Sequence, residues 1–174
     1  MATFKITEKQ NRVYLTLILE PLEEYVFFST AAPVLSMNQL SQKEYTGEYV
    51  NCISLKTYLS QGVSTYMFFD VLFQVVTILK QLEHDYIDTH FILWNINQFV
   101  YHQDKECIAF IGIRLIGKEN TYNFKKLILD CLKNSQFFKE EPLNNFINMI
   151  QDIIQAEDCQ QRVLDYKKEM EDRR

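Results

Sequence analysis

The chain has 174 residues, a formal net charge of -5, 47% hydrophobic and 14% aromatic residues, and only 4 glycines and 3 prolines. That composition excludes disorder, and the acidic balance disfavours nucleic acid or an anionic membrane as main partner, since either requires a basic patch. One compact domain is expected, burying roughly 70% of its unfolded surface.

Residues 4–9 and 12–20 predict a strand pair across Gln10-Asn11, because Val13, Leu15, Leu17 and Leu19 alternate with Tyr14, Thr16 and Ile18. Pro21 predicts the first turn of a helix, with Glu23 and Glu24 near its positive end and Pro33 as its stop. Leu22, Tyr25, Val26 and Phe28 would bury one face of it. Residues 34–40 and 44–51 predict two more strands, joined at Ser41-Gln42-Lys43. A short helix over 54–61 follows, with Ser54 as cap and Gly62 placed for a left-handed stop.

The rest of the chain is organised around residues 64–117. Ser64 caps a long helix in which Phe68, Val71, Leu72, Val75, Leu79 and Leu82 recur at helical spacing. Val76 and Ile78 widen the stripe, so burial on more than one side is expected, with the end near His84-Asp85. Residues 98–101 and 107–115 predict two strands joined by the hairpin-length connection 102–106. After Gly117, Lys118-Glu119-Asn120 predicts a short loop. Phe124, Leu127, Ile128, Cys131 and Leu132 mark another amphipathic helix. Pro142 opens a further one, with Leu143, Phe146, Ile147, Ile150, Ile153 and Ile154 turned inward. Residues 160–174 are mostly charged, with Val163, Tyr166 and Met170 as a thin stripe. A solvated helix or linker is expected there, removable without unfolding the domain.

Cys52, Cys107, Cys131 and Cys159 are far apart in sequence and form no CxxC knuckle, so reduced, mostly buried thiols are expected. No eighteen-residue stretch is uninterruptedly apolar, and the chain is expected to be soluble.

Several residues could carry chemistry. His90 with Asp88 could form an acid–base pair, but no nucleophile partners them, and a turn Asp orienting a loop His is the reading favoured. Asn97 alone lacks the carboxylates a hard cation needs. His84, His90 and His102 match no zinc spacing, and Cys107 lacks an identified base. Trp94, beside Asn95 and Asn97, fits equally an exposed interface anchor or a lid packed on the long helix. Phe137 and Phe138 are read as core contacts.

The order of buried helix, polar turn and short hairpin is also that of a protein kinase catalytic centre. There a catalytic loop H-R-D-x-x-x-x-N is followed at a fixed distance by D-F-G. The segment from His90 to Asn97 has its His and Asn at that separation, and kinase spacing then puts Phe110-Ile111-Gly112 on the D-F-G positions. The frame fits and the chemistry does not. Ile92 stands where the proton-accepting Asp belongs, Phe110 where the metal-binding Asp belongs, and Trp94 where a phosphate-facing Lys is usual. No Gly precedes Gly47, so no Gly-rich loop exists, and Lys5 and Lys9 do not fit a V-A-I-K strand.

Across residues 13–154 the chain resembles the degenerate, kinase-like (pseudokinase) domain of Gram-positive bacteria. That domain is found at the N-terminus of proteins carrying a forkhead-associated (FHA) domain and in the EssB/YukC component of type VII secretion. The features that carry the resemblance are the stretch from Glu48 to Leu59, the long helix, Tyr86-Ile87-Asp88 and the hydrophobic hairpin to Arg114-Leu115-Ile116. They are patterns of apolar and turn residues, not a catalytic signature. The resemblance implies an α+β, reduced kinase-like fold: a small N-terminal antiparallel sheet with one helix (1–52), then a mostly helical lobe containing a short hairpin (53–156). Residues 157–174 are then a charged helix or linker.

It further implies a non-catalytic protein-interaction module, not an enzyme, with no cofactor and no metal. The alternative is a phosphotransferase or nucleotide-binding protein with a rearranged site. The interaction surface expected is Trp94, Asn95, Asn97 and His90. Partners would be proteins linked to secretion or to an FHA domain, or a second copy of the chain, with no nucleic acid and no direct membrane insertion. The location implied is the cytoplasm, at the inner face of the membrane if a segment outside this chain anchors it.

Overall fold

The computed structural model describes residues 1–117, 124–139 and 142–173. The expected loop at Lys118-Glu119-Asn120 lies outside them. The architecture is mixed α and β: among the described residues a four-stranded antiparallel sheet lies in the N-terminal part, and two smaller sheets join N-terminal strands to strands that follow the long helix Thr65–His84.

Strands β1 (Thr3–Lys9) and β2 (Arg12–Ile18) pair antiparallel, Lys9 opposite Arg12. Gln10 and Asn11 both take positive φ, 51° and 58°, the geometry a two-residue hairpin turn requires. Val13, Leu15 and Leu17 face the core, as their alternation predicts. Skipping β3 (Glu23–Tyr25) for the moment, β4 (Asn38–Ser41) and β5 (Glu44–Val50) complete a four-stranded sheet in the order β1-β2-β5-β4.

The helix expected from Pro21 does not form. Glu23 turns its carboxylate inward, where Oε1 accepts from the Ala2 amide at 2.8 Å and Oε2 from the Glu20 amide at 3.0 Å. A buried carboxylate so used is not on the solvated first turn of a helix. Leu22 and Phe27 are exposed, so no continuous inner stripe exists. The backbone finds its partners elsewhere: β3 pairs with β9 (Ile113–Leu115), Glu23 opposite Leu115. Nor do 34–40 form one strand. Leu35 donates to the Phe110 carbonyl and Phe110 donates to the Pro33 carbonyl, so this stretch is tied to the hairpin before β4 begins at Asn38.

Asn51, at φ 56°, turns the chain out of the sheet into β6 (Cys52–Ser54). The three-residue β6, not foreseen in the sequence, pairs with β7 (Phe99–His102). Helix α1 (Leu55–Ser60) has Ser54 as its cap, its hydroxyl accepting from the Thr57 amide. Gly62 follows at φ 108°, a backbone conformation that favours glycine, and the Phe138 ring lies over it.

Helix α2 (Thr65–His84) is the centre of the core. Ser64 caps it by accepting from the Met67 amide, and it stops at Asp85. It is long and apolar enough to cross a membrane, but its apolar residues face the interior on two sides: Phe68, Phe69, Val71, Leu72, Val75, Val76, Ile78, Leu79 and Leu82 are all buried. Leu79→Ala is accordingly expected to cost about 2–5 kcal/mol, because the packed surroundings cannot collapse into the void. Urea melts of this variant check the figure, and a loss under about 1 kcal/mol would contradict this placement.

The strand expected over 107–115 is two strands. Strand β8 (Cys107–Phe110) pairs with β7, β9 pairs with β3, and Ile111-Gly112 is the break between the two sheets. Helix α3 (Phe124–Asn134) buries Phe124, Leu127, Ile128 and Cys131. Helix α4 (Leu143–Gln155) buries Phe146, Ile150 and Ile153, whereas Ile147, expected inside, is exposed. A position three residues before Ile150 but only one after Phe146 falls off the side of the stripe.

The C-terminal segment is helix α5 (Cys159–Asp172), and it is not a solvated tail. It packs on α2 and α4 and buries Cys159 and Val163. Asp152 of α4 accepts from Arg162 Nε at 2.6 Å and from the Tyr166 hydroxyl at 2.8 Å. Lys167 Nζ lies 5.0 Å from the centre of the Phe73 ring on α2. The expected solvated helix or linker is therefore a packed helix, and removal of residues 160–174 is expected to destabilise the domain.

Candidate functional site

The turns between α2 and β8 bring together nearly every residue singled out above. Asp88 caps a short 3-10 turn, Thr89–Phe91, its Oδ1 accepting from the His90 amide at 3.0 Å and facing His90 Nδ1 at 2.9 Å. These contacts hold the Asp88 carboxyl below its usual value, the His90 backbone N–H first and its ring second. Both side chains are exposed. The pair orients a surface turn.

From Ile92 the chain dives inward. Ile92 is only 1% exposed and bridges to Arg114, while the Leu93 amide donates to the Ile113 carbonyl at 2.8 Å. A second 3-10 turn, Ile96–Gln98, is closed by a reciprocal cap. Asn95 Oδ1 accepts from the Asn97 amide at 2.9 Å, and the Asn95 amide donates to Gln98 Oε1 at 2.6 Å.

Gln98 is the residue that sequence reasoning missed. It is fully buried, and its amide satisfies three backbone groups at once. Nε2 donates to the Leu93 carbonyl at 2.6 Å and to the Ile111 carbonyl at 2.8 Å, and Oε1 takes the Asn95 amide. It thereby ties the turn to the Ile111-Gly112 break. The available signal was Asn95-Ile96-Asn97-Gln98 itself, whose end residues have the spacing of a capping box.

Trp94 is 5% exposed and lies parallel to Phe110, ring centres 5.1 Å apart, and to Phe99 at 6.0 Å. Phe28 stacks on the other ring system through Phe110, at 6.4 Å. Gly112 makes room for it: a Cβ there would meet the Phe28 ring at 2.3 Å. The expected surface of Trp94, Asn95, Asn97 and His90 is thus corrected. Trp94 and Asn95 are buried, Asn97 is half-buried, and only His90 is exposed. The physical reason is that Phe99 and Phe110 supply a flat apolar face that no polar turn could leave open, and the indole closes it.

Ile92 and Phe110 are both buried, Phe110 with no exposure at all.

The remaining candidates are dispersed. His84 ends α2. His102 sits on one rung with Cys52 and Cys107, as the central residue of the three. Two residues separated by an intervening strand are too far apart for a disulfide. All four cysteines are free thiols. Burial pushes the Cys131 thiol up to about 12 and raises those of Cys52 and Cys159. Phe137 packs against Phe68 and Phe146, as expected, whereas Phe138 is half-exposed over Gly62. Among the described residues no three His, Cys, Asp or Glu side chains converge as metal ligands would. Compared with known proteins, the chain matches no family model and no curated protein.

Proposed function

We propose that the chain is a degenerate kinase-like domain that performs no phosphotransfer and acts as a protein-interaction module. In this reading it is the cytoplasmic domain of a bacterial secretion-associated or FHA-associated protein, and its partners are proteins, a second copy of the chain included. The observation that carries it is the filling of the would-be catalytic centre. On the kinase spacing Ile92 and Phe110 take the two carboxylate positions; both are core residues, and Phe110 is stacked with Trp94 and Phe28, which supports the reading.

Element order supports the same reading: an antiparallel sheet, a short connecting strand, helix α1, the buried α2, the turn at 88–97, the β7–β8 hairpin and then the Phe110-Ile111-Gly112 break. An interaction role fits a chain that keeps this scaffold without its carboxylates, because function follows the site and not the fold. The turn at 88–91 keeps polar side chains at the surface in Asp88 and His90, which leaves it available to a protein partner while the layer beneath stays closed.

The test is a thermal-shift titration with Mg-ATP, expected to be flat. A ligand at about a hundred times its dissociation constant adds roughly 2.7 kcal/mol. For a domain of this size that is a rise of roughly 5–11 °C. A saturable, magnesium-dependent rise on that scale would instead favour the phosphotransferase or nucleotide-binding alternative.

A further inference from the structure

We propose that residues 26–35 form a strap over the aromatic stack, held shut by the Asp85 carboxylate, and that this strap opens as a unit while the rest of the fold stays intact. The proposal does not rest on the kinase resemblance.

The segment between β3 and β4 is twelve residues, 26–37, with no helix or strand of its own beyond a single bridge from Val34 to Phe110. A connection of that length inside a compact domain is unusual, and such loops are commonly functional. Near its start the Val26 amide donates to the Gly112 carbonyl at 3.2 Å. Near its end Phe110 donates to the Pro33 carbonyl at 3.0 Å and Leu35 donates to the Phe110 carbonyl at 2.8 Å. Its last residues are tied to the sheet side, where the Tyr25 hydroxyl donates to the Leu35 carbonyl at 2.7 Å and the Tyr49 hydroxyl to the Ser36 carbonyl at 2.9 Å.

Between these, one carboxylate holds the middle. Asp85 Oδ2 accepts from Thr30 Oγ1 at 2.5 Å and from the Ala31 amide at 3.2 Å, while Oδ1 accepts from Gln81 Nε2 at 3.0 Å. Thr30 Oγ1 in turn accepts from the Ala32 amide at 3.0 Å, which shapes the bend that presents its hydroxyl to Asp85. Asp85 stands at the end of α2, so the latch joins the most mobile kind of element to the most buried one.

The strap and what it covers differ sharply in burial. Within 26–35 only Ala32 is buried, and Phe27, Ser29, Ala31 and Pro33 are exposed. Below it Phe110, Phe99 and Trp94 are core. A segment with few buried side chains and partly solvated hydrogen bonds opens at lower free energy than the core it lies on. An open cleft of about 250 Å³ already separates its end, at Ala31, Ala32 and Pro33, from Phe73 and Thr77 of α2 and from Cys107. Opening withdraws Phe28 from Phe110 and Gly112 and uncovers one face of the stack. The strap is therefore a device that hides or presents an aromatic surface, with the Thr30–Asp85 bond as its catch.

Trp94 is the only tryptophan in the chain, so its emission reports the stack alone. The test compares the wild-type chain with Thr30→Val and Asp85→Ala, by amide hydrogen exchange and by acrylamide quenching of Trp94. Thr30→Val removes the catch without touching α2. In both variants exchange across 26–35 is expected to quicken by about tenfold, the scale on which one charge-assisted hydrogen bond acts. Trp94 quenching should rise with it, and exchange in α2 and in β1, β2 and β5 should stay at the wild-type rate. Unchanged exchange at 26–35, or an increase shared evenly by α2 and the sheet, would overturn the proposal. Faster exchange at 26–35 with Trp94 quenching unchanged would overturn it too, because the strap would then not cover the stack.

Discussion

Phe110→Asp, which places a carboxylate where a D-F-G sequence would carry one, is expected to unfold the protein and not to create a metal site. Phe110 is wholly buried, packed on Trp94, Phe99 and Phe28. Removing the ring alone costs about 3–5 kcal/mol. The new carboxylate would then sit in an apolar layer with no cation beside it, which adds several kcal/mol or forces it to protonate. Together these reach the total stability typical of a domain, about 5–15 kcal/mol. Far-UV circular dichroism with urea titration reads the result directly. A folded Phe110→Asp chain that gains magnesium-dependent stability would show that the layer is a pliable site and not core.

Deletion of α5, by ending the chain after Ala156, is expected to be nearly as damaging. It strips Cys159 and Val163 from the core together with the packed parts of Tyr166 and Met170, and it exposes the faces of α2 and α4 that they cover. At about 1.5–3 kcal/mol per fully buried side chain, the loss is on the order of 4–8 kcal/mol. The melting temperature should fall by more than about 10 °C. Light scattering should also show self-association through the uncovered apolar faces. A truncated chain that melts within about 3 °C of the parent would mean that α5 contributes packing in name only.

The parts of the fold legible in the sequence are those set by neighbours along the chain. Ser64 with the stripe from Phe68 to Leu82 gives α2 its start, its end and its buried faces. Gln10-Asn11 gives the first hairpin, and Ser54 with Gly62 gives α1. What was not legible depends on residues distant in sequence. Glu23 and Glu24 look like the acidic first turn of a helix until Leu115, some ninety positions later, supplies a strand partner. Strand β6 is too short to carry a pattern and exists because β7 lies beside it. Val163, Tyr166 and Met170 form a stripe too thin to be read as core, yet α2 and α4 meet it on both sides.

The site shows the same limit. A lone Trp between polar residues reads equally as exposed or buried, and only the ring faces of Phe99 and Phe110 decide it. Gln98 reads as an ordinary polar residue, because nothing local reveals that two carbonyls from different turns, Leu93 and Ile111, converge on its amide. That positions 92 and 110 are apolar is legible in the sequence; that Phe110 is closed in by the rings of Trp94, Phe99 and Phe28 is not.

Closure of this layer against nucleotide, on which the proposed function depends, is tested most directly by nuclear magnetic resonance of the uniformly ¹⁵N-labelled chain during titration with Mg-ATP. The backbone amides of Ile92, Trp94, Phe110 and Gly112 and the Trp94 indole N–H report on the layer residue by residue. If the layer is sealed core, these signals keep their positions at millimolar nucleotide. Saturable shifts confined to them, dependent on magnesium, would contradict the account.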